Sequence, residues 1–248
     1  MKVVYLLTLV FLIVSCKEKA RTTLSAQEIV DKSISVSGGE QYRNNDIFYK
    51  FRDYQYASEW KDGDRILKRI RLTDSIKVVD VRGNRGFSRF VNDSLVPLKD
   101  SIANLYANSV NSVHYFAYLP YGLNDPAVNK ELLGIVTVKD KEYYKVKVTF
   151  DQKGGGKDFE DIYLYWFNKE TFKPDYLAYK FYVDGGGIRF RVAYNERYLG
   201  GIRFVDYENY EATLRDSEFY DVDVFYERNK LKLLSKIELE DISVEPSN

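Results

Sequence analysis

Most of this chain alternates hydrophobic and polar residues with the period of two that is typical of β-strands. The alternation begins near residue 46 and, after one interruption, runs from residue 131 almost to the C-terminus. Short turns rich in Gly, Asp and Lys separate the strands. Such links join only antiparallel neighbours, because a parallel crossover needs a dozen or more residues. The pattern therefore predicts a large antiparallel sheet.

A helical spacing of hydrophobic residues comes before the first strand. Ser25 and Glu28 have the spacing of a capping box, in which each side chain binds the other residue's backbone N–H. Gly38 is expected to end the helix, because glycine is common just after the last helical residue. Between these signals, one face carries Ile29, Val30 and Ile34. This segment predicts a helix over residues 26–36.

A second helical segment interrupts the strands at residues 99–122, and Pro120 marks its end. One stripe of this segment carries Ile102, Leu105, Tyr106, Val110, Val113 and Phe116. The spacing predicts a helix over residues 100–118. Because the sheet is the only large apolar surface available, we expect this stripe to lie on its concave face and to close an apolar cavity.

The N-terminus carries an apolar run of a different kind. Residues 3–14 are apolar except for Thr8, and they follow the positive charge of Lys2. The run suits a secretory signal and is too short to span a bilayer as a helix. It ends in Ile13-Val14-Ser15-Cys16, which resembles the lipobox of bacterial lipoproteins. The resemblance implies that residues 1–15 are a signal peptide and that Cys16 carries the attached lipid.

Lipidation also explains an isolated thiol. Cys16 is the only cysteine in the chain, and a free thiol is otherwise a liability in an oxidising compartment. Lys17 follows where the inner-membrane retention signal of some Gram-negative lipoproteins has an aspartate, which favours the outer membrane; either side of that membrane remains open. We expect residues 16–24 to form a tether and residues 25–245 to form a single domain.

Charge and composition narrow the function. Basic and acidic residues number 37 each, so no basic excess indicates a nucleic-acid partner. His114 is the only histidine, which excludes a multi-histidine zinc site. We predict no cofactor, no metal and no catalytic residues. A hydrolase or lyase built on carboxylates is the weakest hypothesis, with Asp53, Asp161 and Asp206 as its candidates.

Aromatic residues are abundant, with 22 tyrosines and 15 phenylalanines. In residues 162–167 both faces of one strand are apolar, so one face is expected under a helix and the other against a cavity, a partner or the membrane. Tyr179 and Phe181 share a face on the next strand. Arg189 and Arg191 also share a face. They form either a solvated outer surface or a cation pair at a cavity mouth that receives a lipid head group or carboxylate.

The order of elements behind the lipobox resembles the LolA/LppX-like lipoprotein fold. In that family an antiparallel sheet curls into an incomplete barrel, helices cover its concave face, and the cavity between them holds acyl chains or similar apolar ligands. The resemblance implies a mainly β (α+β) fold covered by two helices. Four strings also resemble an uncharacterised Gram-negative lipoprotein family: residues 37–44, 165–179, 185–210 and 231–242.

Two functions follow from these observations. The first is an envelope lipoprotein that binds or carries an apolar or amphipathic ligand in the half-barrel. The alternative is a structural or assembly lipoprotein that docks another envelope protein through a sheet edge or an aromatic face. A cavity lined by aliphatic and aromatic side chains favours the first, and a flat external apolar patch favours the second. The predicted ligand-binding residues are Ile102, Leu105, Tyr106, Val110, Val113, Phe116, Trp166, Tyr179, Phe181, Arg189 and Arg191.

Overall fold

The computed structural model describes residues 24–155, 159–182 and 185–247, so the predicted signal peptide and Cys16 lie outside the described residues. The strands form two seven-stranded sheets in which the paired neighbours are antiparallel. The first sheet has the order β14-β1-β2-β3-β4-β5-β6, with β1 (Asn45–Phe51), β2 (Tyr54–Lys61), β3 (Asp64–Leu72), β4 (Lys77–Gly83), β5 (Gly86–Val91), β6 (Ser94–Val96) and β14 (Glu240–Pro246). The second sheet has the order β13-β12-β11-β10-β9-β8-β7, with β7 (Val128–Val138), β8 (Lys141–Phe150), β9 (Ile162–Asn168), β10 (Pro174–Phe181), β11 (Gly187–Leu199), β12 (Ile202–Ala212) and β13 (Lys232–Ile237).

The helices include both that the sequence predicts. They are α1 (Ala26–Ser37), α2 (Gln41–Asn44), α3 (Asp100–Ala117) and α4 (Val222–Glu227). The capping box of α1 is formed, since Ser25 Oγ accepts from the Glu28 N–H at 3.2 Å and Glu28 Oε2 accepts from the Ser25 N–H at 2.8 Å. Among the described residues, no helix combines the length and the apolar character that crossing a membrane requires.

Helix α3 lies between the two sheets. It contacts β3, β4 and β5 of the first sheet, where Val110, His114 and Ala117 are buried. Its opposite side faces the second sheet, and the Tyr115 hydroxyl is 3.0 Å from the Tyr165 hydroxyl of β9. A helix between two sheets buries more than one face, which explains why its apolar stripe is broad.

The second sheet is covered on both faces, which accounts for its doubly apolar strand. Its inner face packs against Ile29 and Val30 of α1, both fully buried. Its outer face packs under the segment that contains α4, where Trp166 and Val222 belong to one buried cluster. We therefore find the expected helix over one face of β9, although α4 itself was not predicted.

The sheets approach each other at one end of the molecule. Gly200, in the turn between β11 and β12, has a φ of 55° and lies against Val244 of β14. A Cβ atom there would collide with the Val244 side chain, so the close approach requires glycine. At the other end, β6 and β7 are sheet edges within the described part of the chain. The result is an incomplete barrel, which confirms the predicted mainly β fold class.

Candidate functional site

A cavity of about 540 Å³ lies between the C-terminal half of α3 and the inner face of the second sheet. From α3 the lining includes the polar side chains of Asn108, Asn111 and Ser112 as well as Val113, Tyr115 and Phe116. Leu119, just after the helix, continues this wall. The turn between β1 and β2 closes one side with Phe51 and Arg52. The sheet supplies mostly aromatic side chains to the opposite wall, namely Phe150, Tyr163, Tyr165, Tyr179 and Phe181, together with Leu177. The volume is in the range of small-molecule sites in proteins.

Strand register assembles the aromatic wall. Tyr163 of β9 is paired with Tyr179 of β10, and their rings are stacked with centroids 5.3 Å apart. Phe150 of β8 meets the Tyr163 ring edge-on at 5.6 Å. Because side chains alternate across a strand, Tyr163 and Tyr165 face the cavity while Trp166 points to the other side of the sheet. The wall is therefore a fixed consequence of pairing between β8, β9 and β10.

The hydroxyl groups of Tyr115 and Tyr165 in this wall are uncharged. Burial is the main reason that the pKa of Tyr115 and that of Tyr165 lie above the ordinary value. Their hydroxyls pair with each other, so they satisfy each other's hydrogen-bonding capacity inside the cavity wall. They consequently contribute apolar ring surface without an unpaired buried hydroxyl.

Arg191 brings a positive charge to this apolar surface. Its Nη2 donates to the Tyr179 hydroxyl at 3.1 Å, and its Nε donates to Asn209 Oδ1 at 3.4 Å. The guanidinium lies over the Phe116 ring, 5.2 Å from the centroid. Within the described residues Arg191 forms no ion pair with a carboxylate. These contacts hold the guanidinium in place through neutral groups and ring faces.

Arg189 is in a different environment although it shares the same strand face. Its Nη1 lies 3.7 Å from Glu211 Oε1 and donates to the Ile188 carbonyl at 3.0 Å. Its guanidinium lies over the Phe181 ring at 5.2 Å. The two arginines predicted as a pair thus differ, because one has a carboxylate nearby and the other has hydrogen bonds to neutral groups. Asp161 also lines this cavity.

The structure brings six of the predicted ligand-binding residues to the cavity. These are Val113, Phe116, Tyr179, Phe181, Arg189 and Arg191. The other five lie elsewhere. Ile102 and Leu105 are exposed near the N-terminus of α3, and Leu105 and Tyr106 line a separate cavity against the first sheet. Val110 is fully buried and does not line the main cavity, and Trp166 lies on the outer face of its sheet.

Several lining residues were not predicted, although part of the signal was in the sequence. Tyr163 and Tyr165 stand out as alternate aromatics in β9, but the opposite face of that strand is equally apolar. Leu177 and Phe150 look like ordinary core residues. Only the position of α3 shows which of these side chains face a cavity.

His114 does not belong to the cavity and is not placed as a general base. Its Nε2 donates to the Lys68 carbonyl at 3.0 Å, so Nδ1 accepts from the Tyr49 hydroxyl, also at 3.0 Å. Burial lowers the pKa of His114 to about 3. The imidazole is therefore neutral at physiological pH and joins α3 to β1 and β3.

This histidine predicts a specific loss of stability in acid. An unfolded chain has the ordinary histidine pKa, near 6.5, so between about pH 6.5 and pH 3 only the unfolded chain is protonated. Stability consequently falls as the pH falls through that range. Through this group we expect a loss of about 2 kcal/mol in the free energy of unfolding between pH 7 and pH 5. A His114→Asn variant should lack that part of the slope in urea unfolding, and parallel curves for parent and variant would contradict the assignment.

The three candidate carboxylates do not converge. Asp53 is exposed in the turn after β1, and Asp161 lines the cavity. Asp206 is buried on β12, where it accepts from Arg197 Nη2 at 2.9 Å and from the Leu239 N–H at 3.0 Å. Asp206 therefore forms a structural ion pair with Arg197. No pair of them forms the acid–base arrangement that the hydrolase hypothesis requires.

Comparison with solved structures identifies the class of fold. A LolA superfamily protein from Nitrosomonas europaea matches with a TM-score of 0.51 and 14% sequence identity, over 91% of this chain and 95% of that chain. A DUF1329 family protein from Desulfovibrio piger matches with a TM-score of 0.43 and 11% identity, over 79% of this chain and 98% of that chain. The first match shows that the chain has the LolA-like fold, as its element order predicted.

The sequence comparisons then identify the family. Residues 2–240 match the model of a family of unknown function, DUF6503, and the chain belongs to that family. None of the curated proteins matches the sequence.

Proposed function

We propose that this protein is a cell-envelope lipoprotein, anchored through Cys16 in the outer membrane, whose cavity binds an amphipathic ligand with an apolar tail and an anionic head group. The observation that carries the proposal is Arg191, a cation without a described carboxylate partner on the wall of an aromatic cavity. The LolA-like fold and the lipobox resemblance of residues 13–16 support it.

The tail and the head group would be recognised by different physical effects. Aromatic and aliphatic side chains favour an apolar chain, because each methylene removed from water contributes about 0.8 kcal/mol. A carboxylate or phosphate near Arg191 would gain charge-assisted hydrogen bonds from a guanidinium that is already oriented by Tyr179 and Asn209. A ligand that has both parts would therefore bind more tightly than either part alone.

Chain length tests the tail. In titrations with a series of saturated fatty acids, we expect the affinity to rise about fourfold for each added methylene until the cavity is full. An affinity that does not depend on chain length would contradict binding in the cavity.

A paired comparison tests the head group. The parent protein should bind a fatty acid about tenfold more tightly than the alcohol of equal length, and Arg191→Gln should remove that preference. Arg189→Gln is the matched control, since Arg189 lies near Glu211; it should retain most of the preference. Equal affinity of the parent protein for the acid and the alcohol would contradict the role of Arg191 in binding the head group. The chain-length series would still test whether the tail binds in the cavity.

The anchor is tested independently. Cells that express the parent protein and are fed radioactive fatty acid should label it, and Cys16→Ser should abolish the label. Equal labelling of the two proteins would show that the lipid is attached elsewhere.

The docking alternative has less support from the described surfaces. The aromatic outer face around Trp166 is covered by the segment that contains α4 and is not available to a partner. That alternative now depends on the edge strands of the two sheets, among them β6, β7 and β13.

A further inference from the structure

A second polar site lies where the N-terminal half of α3 crosses the first sheet. Arg69, Asp80 and Arg89 form a row across three strands, because Asp80 of β4 is paired with Arg69 of β3 on one side and with Arg89 of β5 on the other. Arg69 donates to Asp80 Oδ2 from Nε at 3.1 Å and from Nη2 at 2.6 Å. Arg89 donates to Oδ1 at 2.6 Å and to Oδ2 at 2.9 Å. One buried carboxylate thus holds two guanidinium groups.

The charges in this row do not cancel. Arg71 lies two residues after Arg69 on the same face of β3 and lines the same cavity of about 420 Å³. Three guanidinium groups face one carboxylate, so the lining residues carry two excess positive charges. Arg71 takes part in no ion pair among the described residues. Asp80 can neutralise only one of the three cations, so two positive charges remain without a counter-charge among the described lining residues.

Aromatic rings and a hydroxyl hold these cations in place. Arg89 stacks over Tyr106 of α3, with 3.5 Å between the guanidinium carbon and the ring centroid. Arg69 and Arg71 both lie over Tyr54 of β2, at 5.0 Å and 6.0 Å. Ser109 Oγ accepts a hydrogen bond from Arg69 Nη1, which leaves its own hydrogen free to donate. The cluster is therefore preorganised before any ligand arrives.

We propose that this cluster, Arg69, Arg71 and Arg89 around Asp80, is a binding site for an oxyanion of the phosphate type. The guanidinium of Arg71 can offer two parallel N–H donors to the oxygens of phosphate, whereas Arg69 and Arg89 already direct Nε and Nη2 at Asp80. The two excess charges favour an anion over a neutral ligand. Ser109 adds a neutral donor. The inference does not depend on the proposed function of the main cavity.

The phosphate has two possible sources, and the geometry allows both. Ser109 and Phe116 lie on one edge of α3, and seven residues of helix separate the two sites by about 10 Å. Tyr54 lines the arginine site, while Phe51 at the other end of the same turn lines the main cavity. A phosphate could therefore arrive free in solution or as the head group of an amphiphile whose tail occupies the main cavity.

Calorimetric titration with inorganic phosphate and with dodecyl phosphate, at low ionic strength, tests the site. We expect the parent protein to bind at least one of these probes, and Arg71→Gln to weaken that binding about tenfold. Arg71 is exposed and outside the ion pairs described above, so its replacement should leave the fold intact. Arg85→Gln is the matched control, because it removes the same charge from an exposed position in the turn between β4 and β5.

The titrations give different results for the two sources of phosphate. If both probes bind equally and only Arg71→Gln weakens them, the site takes free phosphate. If dodecyl phosphate binds more tightly and the advantage disappears in Val113→Trp, which fills the main cavity, the site takes the phosphate of an amphiphile whose tail enters that cavity and whose head group lies at the arginines instead of at Arg191. Absence of binding by both probes, or equal weakening by Arg71→Gln and Arg85→Gln, would overturn the proposal. If fatty acids do not bind, the proposed function of the main cavity is wrong, but the titration with inorganic phosphate still tests the arginine site.

Discussion

Replacement of Asp223 by asparagine is expected to lower the free energy of unfolding by about 3–5 kcal/mol. Asp223 of α4 is buried on the outer face of the second sheet, where its Oδ1 accepts from Lys145 Nζ at 2.8 Å. Its Oδ2 accepts from Trp166 Nε1 at 3.2 Å. Lys145 is only 6% exposed, so the variant would leave an ammonium group in the interior without its counter-charge.

A neighbouring pair provides the control for this prediction. Lys147 of β8 and Glu131 of β7 are 3.1 Å apart, but the Glu131 side chain is 62% exposed. Glu131→Gln should therefore cost less than about 1 kcal/mol in the same urea unfolding experiment. The double variant Lys145→Met, Asp223→Leu should recover most of the stability, because it removes both charges together. Similar losses for Asp223→Asn and Glu131→Gln would show that the buried pair is not what holds α4 on the sheet.

Filling the main cavity is expected to weaken ligand binding strongly with little loss of stability. Val113→Trp would place an indole where the proposed tail lies, because Val113 is half-buried and lines the cavity from α3. Displacing about three methylenes of ligand, at about 0.8 kcal/mol each, should weaken fatty-acid binding roughly 50-fold. Titration with a fluorescent fatty acid measures the affinity, and thermal unfolding measures the stability.

Val110→Trp is the matched control on the same helix. Val110 is three residues away, fully buried and outside the cavity, so the added volume should cost about 1–3 kcal/mol of stability. The contrast between the two variants is the test. If Val113→Trp destabilises the protein as much as Val110→Trp, the space beside α3 is tightly packed core, and the ligand-binding proposal is wrong.

Sequence patterns were sufficient for most of the elements because these patterns are local. The alternation of residues 46–60 and 131–242 reflects strands with distinct faces, and the capping box at Ser25 reflects hydrogen bonds between residues three apart. Short turns made antiparallel neighbours obligatory. Helix α4 was missed because six residues, Val222–Glu227, contain too few turns for a helical period to be visible.

The stripe on α3 shows where local patterns stop being informative. Leu105 and Phe116 both lie on the predicted apolar stripe, yet Leu105 is exposed beside the arginine site and Phe116 lines the main cavity. A helical period indicates that a face is apolar, but it does not indicate how far the covering sheet extends along that face. The sequence pattern of β3 is also uninformative about Arg71, because it is the pattern of an ordinary exposed cation.

The sequence by itself determined that most of the chain forms antiparallel strands, the two long helices and the resemblance to a LolA-like fold. The division of the strands into two seven-stranded sheets, with β13 in one and β14 in the other, is visible only in the structure. Only the tertiary structure decided that α3 lies between two sheets, that Tyr163 and Tyr165 face a cavity, and that Trp166 packs under α4. It also separated Arg191 from Arg189 by placing Glu211 beside one of them. The physical reason is that a strand with two apolar faces has no preferred inside, so the choice depends on elements that are distant in sequence.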